Sequence, residues 1–330
     1  MKKKQILSLI FGAMMMVSLG NSAYAEESQT GNEDTVVIEN YGLTTEYDTI
    51  PERIVSLSYS ETEILVALGL ADKIVGIAEA DNSIDVVSEE YKDTVSSLNI
   101  IASSDDGGVP SLEVLYSVEP DFVYGTVYSF APNIGIAEPS DFLENDINIY
   151  VSTSTYKRES TIEDTYEDIR NIGKIFNVSA QAEEVIAQMQ GEIEEAAEKI
   201  NTEETKKRVF IYDSGESAAL SFFGPSYESS LVELAGGVNV FDEEENSQGQ
   251  VSWEAVVEAN PDVIVINDWG GGSGASEVED KINFLKSLPE LQNVTAVEEE
   301  NFVVVPLSLA AFGCIRNPEA VNLLAEGFYS

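Results

Sequence analysis

Thirteen side chains suited to gripping a small molecule fall just past the ends of predicted strands. They are Ser58, Tyr59, Tyr124, Tyr128, Thr153, Tyr156 and Arg158 in the first half, and Ser214, Phe222, Phe223, Trp269, Phe312 and Arg316 in the second. Open α/β sheets place ligand sites at those carboxyl ends. Aromatic rings give wide contact at small conformational cost, and a guanidinium pairs with carboxylate or phenolate oxygens. That chemistry is recognition. Catalysis has few tools here, because the chain contains no histidine. Neither a Ser-His-Asp nor a Cys-His nucleophile can be built, nor a histidine-rich zinc or manganese site, and haem would need Tyr or Met as axial ligand. Cys314 is the sole cysteine, so no intramolecular disulfide forms and the thiol reads as a packed small residue. No catalytic residue, resident metal or cofactor is expected.

To gather such residues in one cleft, strands must end side by side, and the sequence pattern provides this twice. SLEVLYSVEPDFVYG from Ser111 and SWEAVVEANPDVIVI from Ser252 are versions of one segment, with Ser, Glu, Pro and Asp recurring 141 residues apart. Each reads as a short helix and a buried strand. Between them lies SAQAEEVIAQMQGEIEEAAEKIN, Ser179 to Asn201. Its apolar residues Ala182, Val185, Ile186, Met189, Ile193, Ala196 and Ile200 follow helical spacing with one buried stripe. Ser179 is the expected N-cap. Further strands are predicted over 53–57, 74–78, 147–151, 208–212 and 301–306, and an edge strand over 35–39. Helices are predicted over 60–68, 161–176, 227–235 and 318–328, with Asn177 left-handed after the second; 79–108 reads as loop-rich, ending in a turn at 103–108, and 269–274 as a glycine-rich loop. This alternation predicts parallel sheets covered on both faces. The expected fold is α/β, with an N-terminal lobe at 35–177, a connecting helix at 178–201 and a C-terminal lobe at 202–330.

Residues 1–25, MKKKQILSLIFGAMMMVSLGNSAYA, show the lysines, apolar run and small residues of a secretory signal peptide cleaved after Ala25. Residues 26–34 are polar and read as a disordered linker. No cysteine stands near the junction, so no lipid anchor is expected on an exported, periplasmic or extracellular product, which another tether could hold at the cell surface. Without the leader, fourteen basic residues face sixty acidic ones. Such a surface argues against nucleic acid and anionic membranes and favours solubility and a basic partner. Against that background Arg158 and Arg316 stand out.

PERIVSLSYSETEILVALGLADKIVGIAE, the paired S-x-E…PD segments, ELAGGVNVF and RNPEAVNLLAEGFY together resemble the substrate-binding proteins of ABC importers, from about Thr35 to Ser330. The group serving ferric siderophores, cobalamin and related chelates is most similar. The resemblance implies two lobes bridged by one long helix, the class III periplasmic-binding-protein architecture. It implies a monomer that captures a metal chelate, a hydroxamate-like ferric siderophore or a corrinoid such as cobalamin, and delivers it to a permease dimer. Glu113 and Glu254 match the acids that dock such lobes on the two permease subunits, although an acid in a helix's first turn complements the dipole in any protein. Arg316 follows FGC, a ligand-contacting segment in that family, and ranks first among the cleft residues. The negative protein field disfavours a highly anionic tris-catecholate. A long helix bends less readily than paired loops, so lobe closure should be small. Two other readings stay open: an exported glycoside hydrolase using paired carboxylates, and a surface sensing or adhesion module on the same fold.

Overall fold

A computed structural model of the chain describes residues 35–79, 84–103, 108–131, 135–200, 205–270 and 275–329. The leader, the linker at 26–34, positions 104–107 of the expected turn and positions 271–274 of the glycine-rich loop lie outside these residues.

The described chain starts with a hairpin, β1 (Val36–Asn40) and β2 (Leu43–Tyr47), antiparallel and turned through Tyr41 and Gly42 at positive φ. The expected edge strand thus pairs with its own neighbour and stays out of the main sheet. Then follow β3 (Ile54–Ser56), α1 (Tyr59–Ala67), β4 (Ile74–Ala78), α2 (Glu89–Ser96), β5 (Ile100–Ala102), α3 (Leu112–Ser117), β6 (Phe122–Gly125), α4 (Pro139–Leu143), β7 (Asn148–Val151) and α5 (Ile162–Ile175). The helix α2 and the strand β5 occupy the stretch read as loop, the first too polar and the second too short for periodicity to register. Five strands form one parallel sheet in the order β5-β4-β3-β6-β7.

After α6 (Ser179–Ala197) come β8 (Lys207–Tyr212), β9 (Ala219–Phe222), α7 (Tyr227–Leu234), β10 (Gly237–Asn239), β11 (Gln248–Val251), α8 (Trp253–Ala259), β12 (Val263–Asp268), α9 (Ala275–Ser287), α10 (Thr295–Glu298), β13 (Phe302–Pro306), α11 (Leu307–Ala310) and α12 (Asn317–Tyr329). The second parallel sheet runs β10-β8-β12-β13, and β9 pairs antiparallel with β11 as a separate ribbon. Period-two alternation sorts each strand between two cores. Val209 and Ile211 of β8 face one core and Phe210 and Tyr212 the other; Val263 and Val265 of β12 are likewise opposed to Ile264 and Ile266. Burial on both faces is why these strands read as continuous apolar runs.

The helix α6 joins the two bodies by belonging to both cores. Ala182, Ile186 and Met189 pack in the first lobe, and Ala196 packs in the second. Its start differs from expectation: Val178 is the N-cap residue and Ser179 already lies inside the helix. Asn177 is left-handed, at φ 57°, and Val178 N–H donates to Gly173 O at 2.8 Å, so α5 turns straight into α6 with no residue left over for a serine cap. A β-carbon on Gly173 would stand 2.7 Å from Ala182 Cβ, which is how closely the two helices approach.

The repeated segments owe most of their likeness to local structure. Ser111 and Ser252 each cap a helix, their Oγ atoms accepting from Val114 N and Ala255 N at 3.3 Å. Glu119 and Asn260, equivalent in the repeat, are both left-handed. Asp121 accepts from Arg53 N–H at 2.9 Å and Asp262 from Arg208 N–H at 2.8 Å, tying each segment to the first strand, β3 or β8, of its parallel sheet. Arg53 and Arg208 return the tie by donating to Val118 O, at the C-cap of α3, and to Ala259 O, at the last residue of α8. Ser and Asp are therefore explained by folding. Glu113 and Glu254 are exposed and lie outside this scaffold.

Where the lobes meet, a buried polar seam runs beside the apolar contacts of Leu234 and Ile315 with the first lobe's core. Asn317 spends both amide hydrogens on Leu309 O and Phe312 O, so its Oδ1 accepts from Tyr227 O–H at 2.8 Å. Tyr227 in turn accepts from Thr165 of the first lobe at 2.7 Å. Gly313 N–H donates to Ser154 Oγ at 2.8 Å, again across lobes. A β-carbon at Gly313 would fall 2.3 Å from Thr165 Oγ1. Gly313→Ala should therefore cost about 1–3 kcal/mol, read as a few degrees in melting temperature; an unchanged melting curve would show the seam to be slack. Such a joint also limits opening. Small-angle scattering with and without cargo should give radii of gyration within about 1 Å of each other on roughly 20 Å, and a larger compaction would contradict it.

Candidate functional site

At the carboxyl ends of both parallel sheets the lobes enclose a cavity of about 460 Å³. The first lobe supplies Leu57, Ser58 and Tyr59 after β3, Thr126 and Tyr128 after β6, and Val109 and Pro110 ahead of α3. Trp269 after β12 and the segment 307–316 after β13 come from the second. Tyr128 and Phe312 face each other from opposite lobes with ring centroids 6.0 Å apart. Both rings, with Ala311, also border an adjoining groove of about 330 Å³ that carries Tyr156, Arg158 and Phe222.

The cavity wall mixes apolar and aromatic side chains with the hydroxyls of Ser58, Ser60, Thr126, Ser129 and Ser308, and its charges are acidic or already paired. Arg316 clasps Glu319 through Nε and Nη2, each at 2.7 Å, and Nη1 donates to Val86 O of the first lobe. The Glu319 carboxylate raises the guanidinium's pKa further and uses it up. Glu61 is fully buried and accepts from Ser152 Oγ at 2.5 Å and from Ser58 Oγ; burial pushes its carboxyl above the ordinary range. Glu63, accepting from Ser88 N–H at 2.9 Å, is raised for the same reason. Tyr59 is 2% exposed and its O–H is given to Glu79 at 2.8 Å. Cys314 is buried, and desolvation pushes its thiol up to about 12. Among the described residues no three His, Cys, Asp or Glu side chains converge as a metal site, and no helix is long and apolar enough to cross a membrane.

With two parallel sheets, one bridging helix and a cavity between them in place, the comparison with known proteins is decisive. A family model described as periplasmic binding protein matches residues 54–308. The chain belongs to that family. A Bacillus subtilis relative, the uncharacterized ABC transporter substrate-binding lipoprotein YvrC, is 25% identical over 330 residues, spanning 98% of this chain and 95% of its own. The vitamin B12-binding protein of Vibrio campbellii is 26% identical over 214 residues, 64% of this chain and 70% of that one. The crystal structure of a periplasmic binding protein from Veillonella parvula superposes with a TM-score of 0.79 at 30% identity, covering 91% of this chain and 99% of its own.

In this periplasmic binding protein the thirteen sequence candidates divide by location. Ser58, Tyr59, Tyr128, Trp269, Phe312 and Arg316 border the cavity. Tyr156, Arg158 and Phe222 sit one compartment away; Arg158 lies 3.6 Å from Glu159, and the Tyr156 hydroxyl accepts from Tyr41 N–H at 3.1 Å. Tyr124 does not reach either space. It belongs to the β6 strand itself, points into the first lobe's core and meets Tyr150 edge-on at 5.4 Å. Phe223 is core in the second lobe. Thr153 binds Asp168 through its hydroxyl at 2.6 Å, and Ser214 donates to Asp213 at 3.0 Å, so both serve their own lobes. Glu61 and Glu63 were missed because SETEILVAL reads as one helix, and position along a helix does not reveal that its first turn faces a partner lobe. Val109 and Pro110 had a usable signal, standing directly before the first repeat.

Proposed function

We propose that this chain is the extracytoplasmic substrate-binding component of an ABC importer and holds a bulky metal chelate of low net charge between its lobes. The observation that carries this reading is the cavity itself. Both lobes build it, the rings of Tyr128, Trp269 and Phe312 stand in its wall, and its lining arginine is already committed to Glu319. A cargo with several negative charges would enter a space whose lining, among the described residues, leaves no unpaired cation to receive it. Corrinoids and ferric hydroxamates carry little net charge, which suits such walls. The names of the Bacillus and Vibrio relatives support transport, and vitamin B12 in one case. Glu113 and Glu254 would meet the two permease subunits, one from each lobe.

Titration of Trp269 fluorescence tests the reading, with cobalamin, a ferric hydroxamate and a ferric tris-catecholate as probes. Saturable quenching by one of the first two, with no chemical change in the probe, is expected. Tighter binding of the tris-catecholate would overturn the charge argument, and turnover of a glycan panel would overturn the transport reading. Phe312→Ala removes one of the facing rings and should weaken the bound probe by roughly 10–100-fold, the worth of about 1.5–3 kcal/mol of aromatic burial. Unchanged affinity would place the cargo elsewhere.

A further inference from the structure

Trp269 is half exposed, yet it is not free to turn. Its indole N–H donates to Asp213 Oδ1 at 2.9 Å, and Lys281 Nζ stands 5.3 Å from the centre of its ring. Both anchors are themselves fixed from behind. Asp213 is 3% exposed, at the end of β8, and its other oxygen accepts from Ser214 Oγ at 3.0 Å. Lys281, on α9, donates to Asn267 O at 2.6 Å and pairs with Glu277 at 3.1 Å. Asn267 on β12 is fully buried; its Nδ2 donates to Glu228 at 3.1 Å and lies 3.5 Å from Asp213.

A carboxylate at the ring edge and an ammonium over the ring face constrain two different motions. The hydrogen bond fixes which way the edge points, and the cation fixes the plane. A neutral acceptor would satisfy one N–H without the desolvation cost of a buried carboxylate, which among the described residues has no cationic partner of its own. What the charge adds is strength in that single bond. For a side chain whose flank lines a cavity, the consequence is preorganisation: the ring is ordered before cargo arrives, so binding does not bear that entropy loss.

We propose that Asp213 is a positioning residue that, together with Lys281, holds the Trp269 indole as a preset flat wall, so that the cavity selects cargo presenting a planar or macrocyclic face. The selection rests on the cargo-site reading above; the ordering of the ring does not. The full chain has two tryptophans, and Trp253 gives its indole N–H to Glu216 O at 2.8 Å, well inside the second lobe. Proton–nitrogen NMR of the free protein therefore offers two indole signals, one a reporter of Asp213 and the other of folding. In Asp213→Ala the Trp269 signal should move upfield and broaden while Trp253 stays put, and in Asp213→Asn, which keeps an acceptor, the displacement should be smaller. If Asp213→Ala unfolds, shown by loss of the Trp253 signal, Lys281→Met carries the test, with increased Trp269 mobility expected. A Trp269 signal unmoved in a folded Asp213→Ala, or unchanged mobility in Lys281→Met, overturns the ordering role.

Affinity reads the second half. Cobalamin or hemin, whichever binds the unaltered protein, should bind Asp213→Ala about five- to tenfold more weakly, with Asp213→Asn largely restored. A compact, non-planar ferric hydroxamate should be affected less. Equal losses for flat and compact probes, or none, overturn the selectivity. If no probe binds the unaltered protein, the transport reading fails, while the NMR result still decides whether Asp213 orders the ring.

Discussion

Replacing Glu113 and Glu254 together by alanine should abolish cargo uptake in cells and leave cargo affinity unchanged. Both acids are exposed, at the first turns of α3 and α8, and neither supplies a cap or a strand tie of its own, Glu254 meeting only its own backbone N–H and the Ser252 hydroxyl. The Glu254 carboxyl is held below its ordinary range by its own backbone N–H and the Ser252 hydroxyl, so it stays ionised. One charge-assisted hydrogen bond into a basic pocket contributes about 1.5–3 kcal/mol. Two lost at once weaken docking by roughly a hundredfold or more. All but two of the sixty acids remain, so the mean field barely changes and a loss of uptake would be local in origin. Each single substitution should leave measurable transport. Normal uptake by the double variant, beside intact cargo binding, would remove the docking assignment.

Stability should fall as pH rises from about 5 to 8, and Glu228→Gln should flatten that slope. Glu228 is fully buried; one oxygen accepts from Asn267 and the other has no hydrogen-bond partner, and desolvation, reinforced by Asp213, raises its carboxyl to about 8. Asp168, buried under Tyr150 and Thr153, is raised to about 7. Glu61 and Glu63 shift the same way. At Glu228 and Asp168 the folded chain keeps a proton that the unfolded chain has already released. The folded state therefore binds more protons, and its stability drops with rising pH, by about 1.4 kcal/mol per pH unit for each such proton. The loss from Glu228 begins above the unfolded value near 4.5 and is complete once pH passes its folded value of about 8. Glutamine is uncharged throughout, so Glu228→Gln should be more stable than the unaltered chain at pH 8 by on the order of a few kcal/mol, with a smaller difference at pH 5. Urea unfolding at the two pH values measures this. Parallel pH profiles for both proteins would mean that Glu228 is not the protonated group.

Charge scarcity in the sequence pointed to Arg316, and Arg316 does border the cavity, yet its partners could not be read from the chain order. Val86 lies 230 residues away and belongs to the other lobe. Glu319, three residues on, was visible, but only the start of α12 places its carboxylate against the guanidinium. Tyr124 shows a second limit. The last residues of a strand alternate between faces and the strand's end, and a shift of one residue separates a cavity wall from a core ring.

What the sequence determined by itself is the architecture. Apolar runs interrupted by helical patterns require covered parallel sheets, a twice-used segment requires two similar bodies, and a long amphipathic stretch between them has to join both cores. These are short-range consequences of where apolar side chains fall along the chain. The cavity was decided elsewhere. Which loop residues turn toward the opposite lobe, which carboxyls lose their water and which cation is already neutralised depend on groups brought together from distant parts of the chain, because burial and electrostatic pairing belong to the packed whole.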